Sequence, residues 1–95
     1  MASNACYNEA LKKARVRDLS GAIVSLKESL RFYKMNIDAR NLLGLVYYDM
    51  GEVVMALTEW VLSKNYQPRD NAASRYLDEV QTNQGPLATI NHTIK

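Results

Sequence analysis

Apolar residues recur three and four positions apart along almost the whole chain, the spacing that lines one face of an α-helix. Cys6, Tyr7, Ala10, Leu11 and Ala14 mark a first helix over about residues 4–16, with Lys12, Lys13 and Arg15 at the end where positive charge suits the helix dipole. Arg17-Asp18-Leu19 reads as a tight turn, with Asp18 capping a second helix over about residues 19–33 that carries Ala22, Ile23, Leu26, Leu30 and Tyr33. Lys27, Glu28 and Arg31 form its wet face. Asn36 stands before the next apolar run as a cap. The third helix, about residues 37–50, holds Leu42, Leu43, Leu45, Val46, Tyr47 and Met50 and is apolar around much of its circumference, as a helix covered on two sides is. Gly51 ends it in a left-handed conformation.

A fourth helix over about residues 53–65 turns Val53, Ala56, Leu57, Trp60 and Val61 inward, and Asn65 and Pro68 end it. Arg69 to Asn83 reads as a fifth helix, with Asp70 near its start and Leu77 and Val80 inward. Gly85-Pro86 breaks it, and Leu87 to Lys95, with Ile90 and Ile94 four apart, makes a last stretch of roughly two turns, marginal by itself. No window alternates as a strand does, and no hairpin dipeptide joins two strand-like runs. Short loops predict that each helix lies antiparallel to the next. The opening Met1-Ala2-Ser3-Asn4-Ala5 is small and polar and carries no pattern, as residues appended to a domain would.

A second periodicity overlies the first. Gly44, Ala56, Trp60 and Ser63 lie 34 residues after Ala10, Ala22, Leu26 and Ser29. Helices cross closely only where side chains are small, so a repeated small-residue pair predicts a repeated helix–helix contact. Gly44 inside a helix costs about 1 kcal/mol against alanine, a cost that makes sense where a neighbour passes close by.

This pattern resembles the tetratricopeptide repeat, a helix–turn–helix unit of about 34 residues. The resemblance spans residues 3–95 as one domain, in units 3–36, 37–70 and a truncated or capping unit 71–95. The middle unit matches best, through Leu43-Gly44, Tyr47, Gly51, Ala56, Trp60, Ser63 and Pro68, with Arg40 where a large apolar residue is usual. In the first unit Cys6, Ala10, Ala22, Leu26 and Ser29 fit, while Glu9, Lys13, Arg17 and Lys34 depart from the pattern. In the third Leu77 and Gly85 fit, and Asp78 replaces the small residue. The resemblance implies an all-α fold of antiparallel helix–turn–helix pairs stacked as a short right-handed superhelix, an α–α solenoid.

In such a stack the first helix of each pair lines a concave groove. The positions facing it would be Asn4, Tyr7, Leu11, Ala14 and Arg15, then Asp38, Asn41, Leu45, Tyr48 and Asp49, then Arg75, Glu79, Thr82 and Asn83. A peptide could bury against Tyr7, Leu11, Leu45 and Tyr48, take a hydrogen bond from Asn41, and meet Arg75 and Glu79 at the polar end. The plainer reading is that Leu11 and Leu45 pack internally or against another helix. Some members of the family grip a terminal carboxylate with convergent Lys and Asn side chains. Tyr7, Leu11, Leu45, Arg75 and Glu79 stand at the corresponding places, and only Arg75 could donate as a cation, which disfavours that ligand class.

Composition narrows the function classes further. The 95 residues carry a formal net charge of +2 with acidic and basic residues interspersed, so no basic stripe marks a nucleic-acid footprint. No apolar segment is long enough to span a bilayer and no signal-peptide pattern is visible, from which a cytoplasmic setting is the expectation. One cysteine, Cys6, precludes an internal disulfide and reads as a small packed side chain. His92, the one histidine, reads as a surface residue. The two lie at opposite ends of the array and make no metal set or catalytic pair. Asp18, Glu28, Asp49, Glu52 and Glu59 fall at turns and on wet faces, without a paired-carboxylate arrangement. Tyr33, Tyr47 and Tyr76 read as core or half-core, with Tyr47 turned to the paired helix and Tyr48 to the groove. The expectation is a module without enzymatic activity or cofactor that binds a protein or peptide. The alternative is a structural segment of a longer repeat protein that self-associates through its open helical edge.

Overall fold

Residues 2–84 are described by a computed structural model, with side chains through Thr82. They form five helices: α1 (Ala2–Arg15), α2 (Leu19–Phe32), α3 (Ile37–Asp49), α4 (Val53–Tyr66) and α5 (Ala72–Gln84). The last stretch expected over Leu87 to Lys95, including Ile90, His92 and Ile94, lies outside the described residues.

Local chemistry accounts for most of the boundaries. The Asp18 carboxylate accepts from Gly21 N at 3.0 Å and opens α2, and the Asn36 amide oxygen accepts from Ala39 N at 3.0 Å and opens α3. Gly51 follows α3 at φ +84°, the left-handed helix ending expected of it. Arg17, 34 residues earlier, adopts the same conformation at φ +65° without being glycine. It does so while its guanidinium pairs with Asp49 on α3.

Two boundaries differ from expectation by more than one residue. Helix α1 begins at Ala2, and its first turn is structural. Ser3 is 4 % exposed, and its hydroxyl donates to the Ser29 carbonyl at 2.9 Å and lies 3.0 Å from Ser29 Oγ. The fifth helix begins at Ala72 instead of Arg69, because Asp70 sits at φ +52° and breaks the path. Asn71 is the cap, accepting from Ala73 N at 3.0 Å.

Helix α2 packs against both α1 and α3, α4 packs against both α3 and α5, and α1 touches α3 directly. The result is a compact all-α domain whose Cα atoms span 43 × 30 × 17 Å. Its core is organised by the 34-residue repeat. Ala10, Ala22, Leu26 and Ser29 are each 0 % exposed, and Ala56, Trp60 and Ser63 are 0–1 % exposed at the matching positions, with Gly44 also buried. Asp78, the third member of the Ala10–Gly44 series, is exposed. Gly44 makes room for Trp60. A Cβ there would stand 2.6 Å from Trp60 Cδ1 and closer still to Nε1. The indole N–H in turn donates to the Asn41 carbonyl at 3.2 Å.

A polar seam repeats alongside the apolar one. Asn36 Nδ2 donates to Ser3 Oγ at 2.9 Å and reaches Ser29 Oγ at 3.4 Å, and Asn71 Nδ2 donates to Ser63 Oγ at 2.9 Å. Each asparagine thus caps the following helix with its oxygen and ties the preceding one with its nitrogen. Replacing Asn36 with alanine removes the cap and leaves two buried serines short of a partner. We expect a loss of about 2 kcal/mol, read as a lower urea midpoint at unchanged slope.

Several side chains sit differently from the sequence reading. Val61 is 47 % and Tyr33 52 % exposed, although the spacing of apolar residues turns both inward. Helix α4 is apolar nearly all round, so its periodicity does not single out a buried face. Cys6 is half-buried and is not one of the buried core residues. Glu59, expected on a wet face, has a side chain only 17 % exposed and pairs with Arg40 at 2.8 Å. Arg40 is itself buried, donates to the Lys34 carbonyl at 2.6 Å and lies over the Tyr66 ring at 5.3 Å.

Candidate interaction face

Tyr7 on α1 is close enough to Asp38 on α3 and Tyr76 on α5 for their charges to act on its phenol. The Tyr7 pKa lies above its ordinary 10.0, first because burial disfavours the phenolate and then because Asp38 and Tyr76 add negative charge nearby. Tyr7 and Tyr48 are half-buried against the core, Leu11 is half-buried and Leu45 is 37 % exposed.

Leu45 and Tyr48 sit where two cavities adjoin. One, of about 310 Å³, is completed by Trp60, Tyr76, Glu79 and Val80. The other, of about 340 Å³, is lined on the α1 and α2 side by Ala14, Arg17 and Leu19 and on α3 by Leu42, Val46 and Asp49. Tyr48 also packs its ring on Trp60 at 5.9 Å between centroids, and Trp60 meets Tyr76 at 5.3 Å. The sequence pattern places Tyr48 and Tyr76 separately. It carries no sign that Trp60 joins them, because that contact spans three helices.

The polar candidates are largely engaged inside the molecule. Asn41, expected to donate to a peptide, is 8 % exposed and donates instead to Asn71 Oδ1 at 2.8 Å. Its own Oδ1 has no hydrogen-bond partner among the described residues. Arg75 and Glu79 are exposed and lie 3.7 Å apart on α5, with the Arg75 guanidinium 5.2 Å from the Tyr76 ring centroid. Of the candidate residues, Leu45, Tyr48 and Glu79 are thus brought together at one cavity, Arg75 pairs with Glu79 on α5, Asn41 is a buried amide, and Tyr7 and Leu11 line neither of the two cavities at Leu45.

A larger cavity of about 860 Å³, which the sequence reading missed, lies at the start of α1, α3 and α5. Ser3, Asn4, Asn36, Asp38, Asn41, Gln67, Asp70 and Asn71 supply its polar lining, with Tyr33, Met35 and Ile37 beside them. The signal was present as Ser29 and Ser63, 34 apart, each followed by an asparagine seven or eight residues later. Among the described residues no group of three His, Cys, Asp or Glu side chains could hold a metal ion, and no helix is long and apolar enough to cross a membrane. No family model matches the chain, and neither a curated protein nor a solved structure matches it.

Proposed function

We propose that this chain is a tetratricopeptide-like interaction module without enzymatic activity, which binds a peptide segment of a partner protein on the face shared by α1, α3 and α5. The observation that carries the reading is Leu45. It is a large apolar side chain left 37 % exposed between two cavities, on the helix whose other large apolar positions are buried or half-buried. Apolar anchors of this kind, beside half-buried tyrosines, are what peptide-binding surfaces offer. The repeat of buried positions at 34 supports the stacking geometry of the family, in which this face is concave.

Selection of peptides from a random displayed library on the purified chain tests the proposal. Leu45→Asp is expected to weaken the selected peptides at least about tenfold while the unfolding midpoint changes little, since the side chain is partly exposed already. Tyr48 is the poorer probe, because it packs on the buried Trp60. Failure to enrich any peptide, or equal binding by Leu45→Asp, would sink the proposal.

A second reading has its own observation. Val54 is 76 %, Val61 47 % and Met55 41 % exposed on α4, and Val24 is 67 % exposed on α2. Side chains of this kind suit packing between copies or against further repeats. Sedimentation equilibrium over a wide concentration range separates the two. A constant monomer mass favours the peptide module, and a mass that climbs with concentration favours the structural segment.

A further inference from the structure

We propose that the cavity at the start of α1, α3 and α5 receives a primary ammonium group of the bound peptide. The inference rests on the peptide-binding reading and adds the chemistry of one subsite. Two of the amides lining the cavity are fully engaged by the fold. Asn36 caps α3 with its oxygen and gives its nitrogen to Ser3, and Asn71 caps α5 and gives its nitrogen to Ser63. Asn41 is not satisfied in this way. It is 8 % exposed, its Nδ2 donates to Asn71 Oδ1 at 2.8 Å, and its Oδ1 has no hydrogen-bond partner among the described residues. Turning the amide over would not help, because its oxygen would then face Asn71 Oδ1, which is itself an acceptor. A buried acceptor without a donor is rare, and it calls for one.

The two carboxylates of the lining are open as well. Neither the Asp38 nor the Asp70 carboxylate has a hydrogen bond or an ion pair among the described residues, and no Lys, Arg or His of those residues lines the cavity. Both stand at helix starts, Asp38 in the first turn of α3 and Asp70 just before α5, where negative charge suits the helix dipole. The positive ends of those helices are thus already complemented and do not call for an anion. What remains is acceptor capacity, one amide oxygen and two anions. A phosphate or carboxylate would meet two like charges. A primary ammonium brings three N–H donors and a positive charge. Tyr33, 52 % exposed, and Met35, 41 % exposed, give its carbon stem an apolar surface to lie on. A volume of about 860 Å³ admits the whole residue that carries the ammonium. Asn41 lies one helical turn before Leu45, about 6 Å along α3, so a chain anchored at Leu45 reaches the cavity within about two residues.

Nuclear magnetic resonance of the full, nitrogen-15-labelled chain provides the test. The probes are leucine amide, which carries a free α-ammonium, and N-acetyl-lysine amide, which carries an ε-ammonium. N-acetyl-leucine amide is the neutral control. At least one ammonium probe is expected to shift the Asn41 side-chain amide and the backbone amides of Asp38 and Ala72 saturably, at about millimolar concentration. The neutral control should bind about tenfold more weakly or worse. The stronger of the two ammonium probes identifies the source, a chain terminus or a lysine side chain. Asp38→Asn and Asp70→Asn should each weaken it about three- to fivefold. Asparagine tolerates the φ of +52° at Asp70, so that variant keeps the turn before α5. Glu28→Gln, on an exposed side chain of α2, should leave the affinity unchanged and controls for overall charge. The comparison of charged and neutral probes on the unaltered chain decides the matter even if a variant fails to fold.

Equal binding of the neutral control, or ammonium probes that leave the Asn41 signal in place, overturns the ammonium site. The same holds if Glu28→Gln weakens binding as much as Asp38→Asn and Asp70→Asn do, because the attraction would then belong to the overall charge. The two readings fail separately. Library peptides that bind through Leu45, with neither ammonium probe moving Asn41, leave the peptide site standing and remove the subsite. Saturable ammonium binding at Asn41 without any selected peptide does the reverse.

Discussion

Gly44→Ala is expected to destabilise the domain by about 2 kcal/mol, although alanine is the better helix former by about 1 kcal/mol. The new methyl group would overlap the Trp60 indole, which is 1 % exposed and fixed by its hydrogen bond to the Asn41 carbonyl, so the ring has nowhere to retreat. Trp60→Leu alone is expected to cost about 3 kcal/mol, through lost burial, the cavity left behind and the loss of ring contact with Tyr48 and Tyr76. The double variant copies the first unit, which has Ala10 and Leu26 at the equivalent positions, both 0 % exposed. If the two positions are one packing device, the methyl group introduced in place of Gly44 fills part of the space the indole vacates. The double variant should then be at least about 2 kcal/mol more stable than the sum of the single effects predicts. Urea unfolding of the four proteins measures this. Simple additivity would show that the glycine and the ring are unrelated.

Glu59→Ala carries the second large effect, a loss of about 3 kcal/mol. Arg40 is buried and its side chain is 10 % exposed, so removing the carboxylate leaves a cation inside the fold with the Lys34 carbonyl and the Tyr66 ring as remaining partners. Its Nε already lacks a hydrogen bond among the described residues. Removing both charges at once, as Arg40→Met with Glu59→Gln, should be far milder, because a large apolar side chain suits that position and no unpaired cation is left. Thermal unfolding compares the two. A single variant as mild as the double would mean that the pair is wetter than its burial indicates.

The second of these sites marks where the sequence pattern stops being informative. Asp18, Asn36 and Gly51 were legible because a cap or a helix ending is decided within four residues. The buried series at a spacing of 34 was legible because small residues at a helix crossing are selected by volume alone. The Arg40–Glu59 pair was not, since Glu59 reads as a solvated charge and Arg40 only as a departure from an apolar position until tertiary packing puts them 2.8 Å apart. Ser3 was illegible for the same reason, because its partners are 26 and 33 residues away. Arg17 takes the left-handed position that Gly51 holds in the next unit, and its side chain gives no local hint of it. Of the candidate binding residues, Leu45 and Tyr48 share two cavities. Asn41 shows how a polar residue on the expected face can be captured by a neighbouring helix cap, Asn71.

The central claim is that the working surface is the face of α1, α3 and α5, and amide chemical-shift mapping with a library-selected peptide tests it most directly. The account predicts that the perturbed amides cluster around Leu11, Leu45, Tyr48, Tyr76 and Glu79. Perturbations gathered instead around Val24, Val54 and Val61 would place binding away from that face and contradict it.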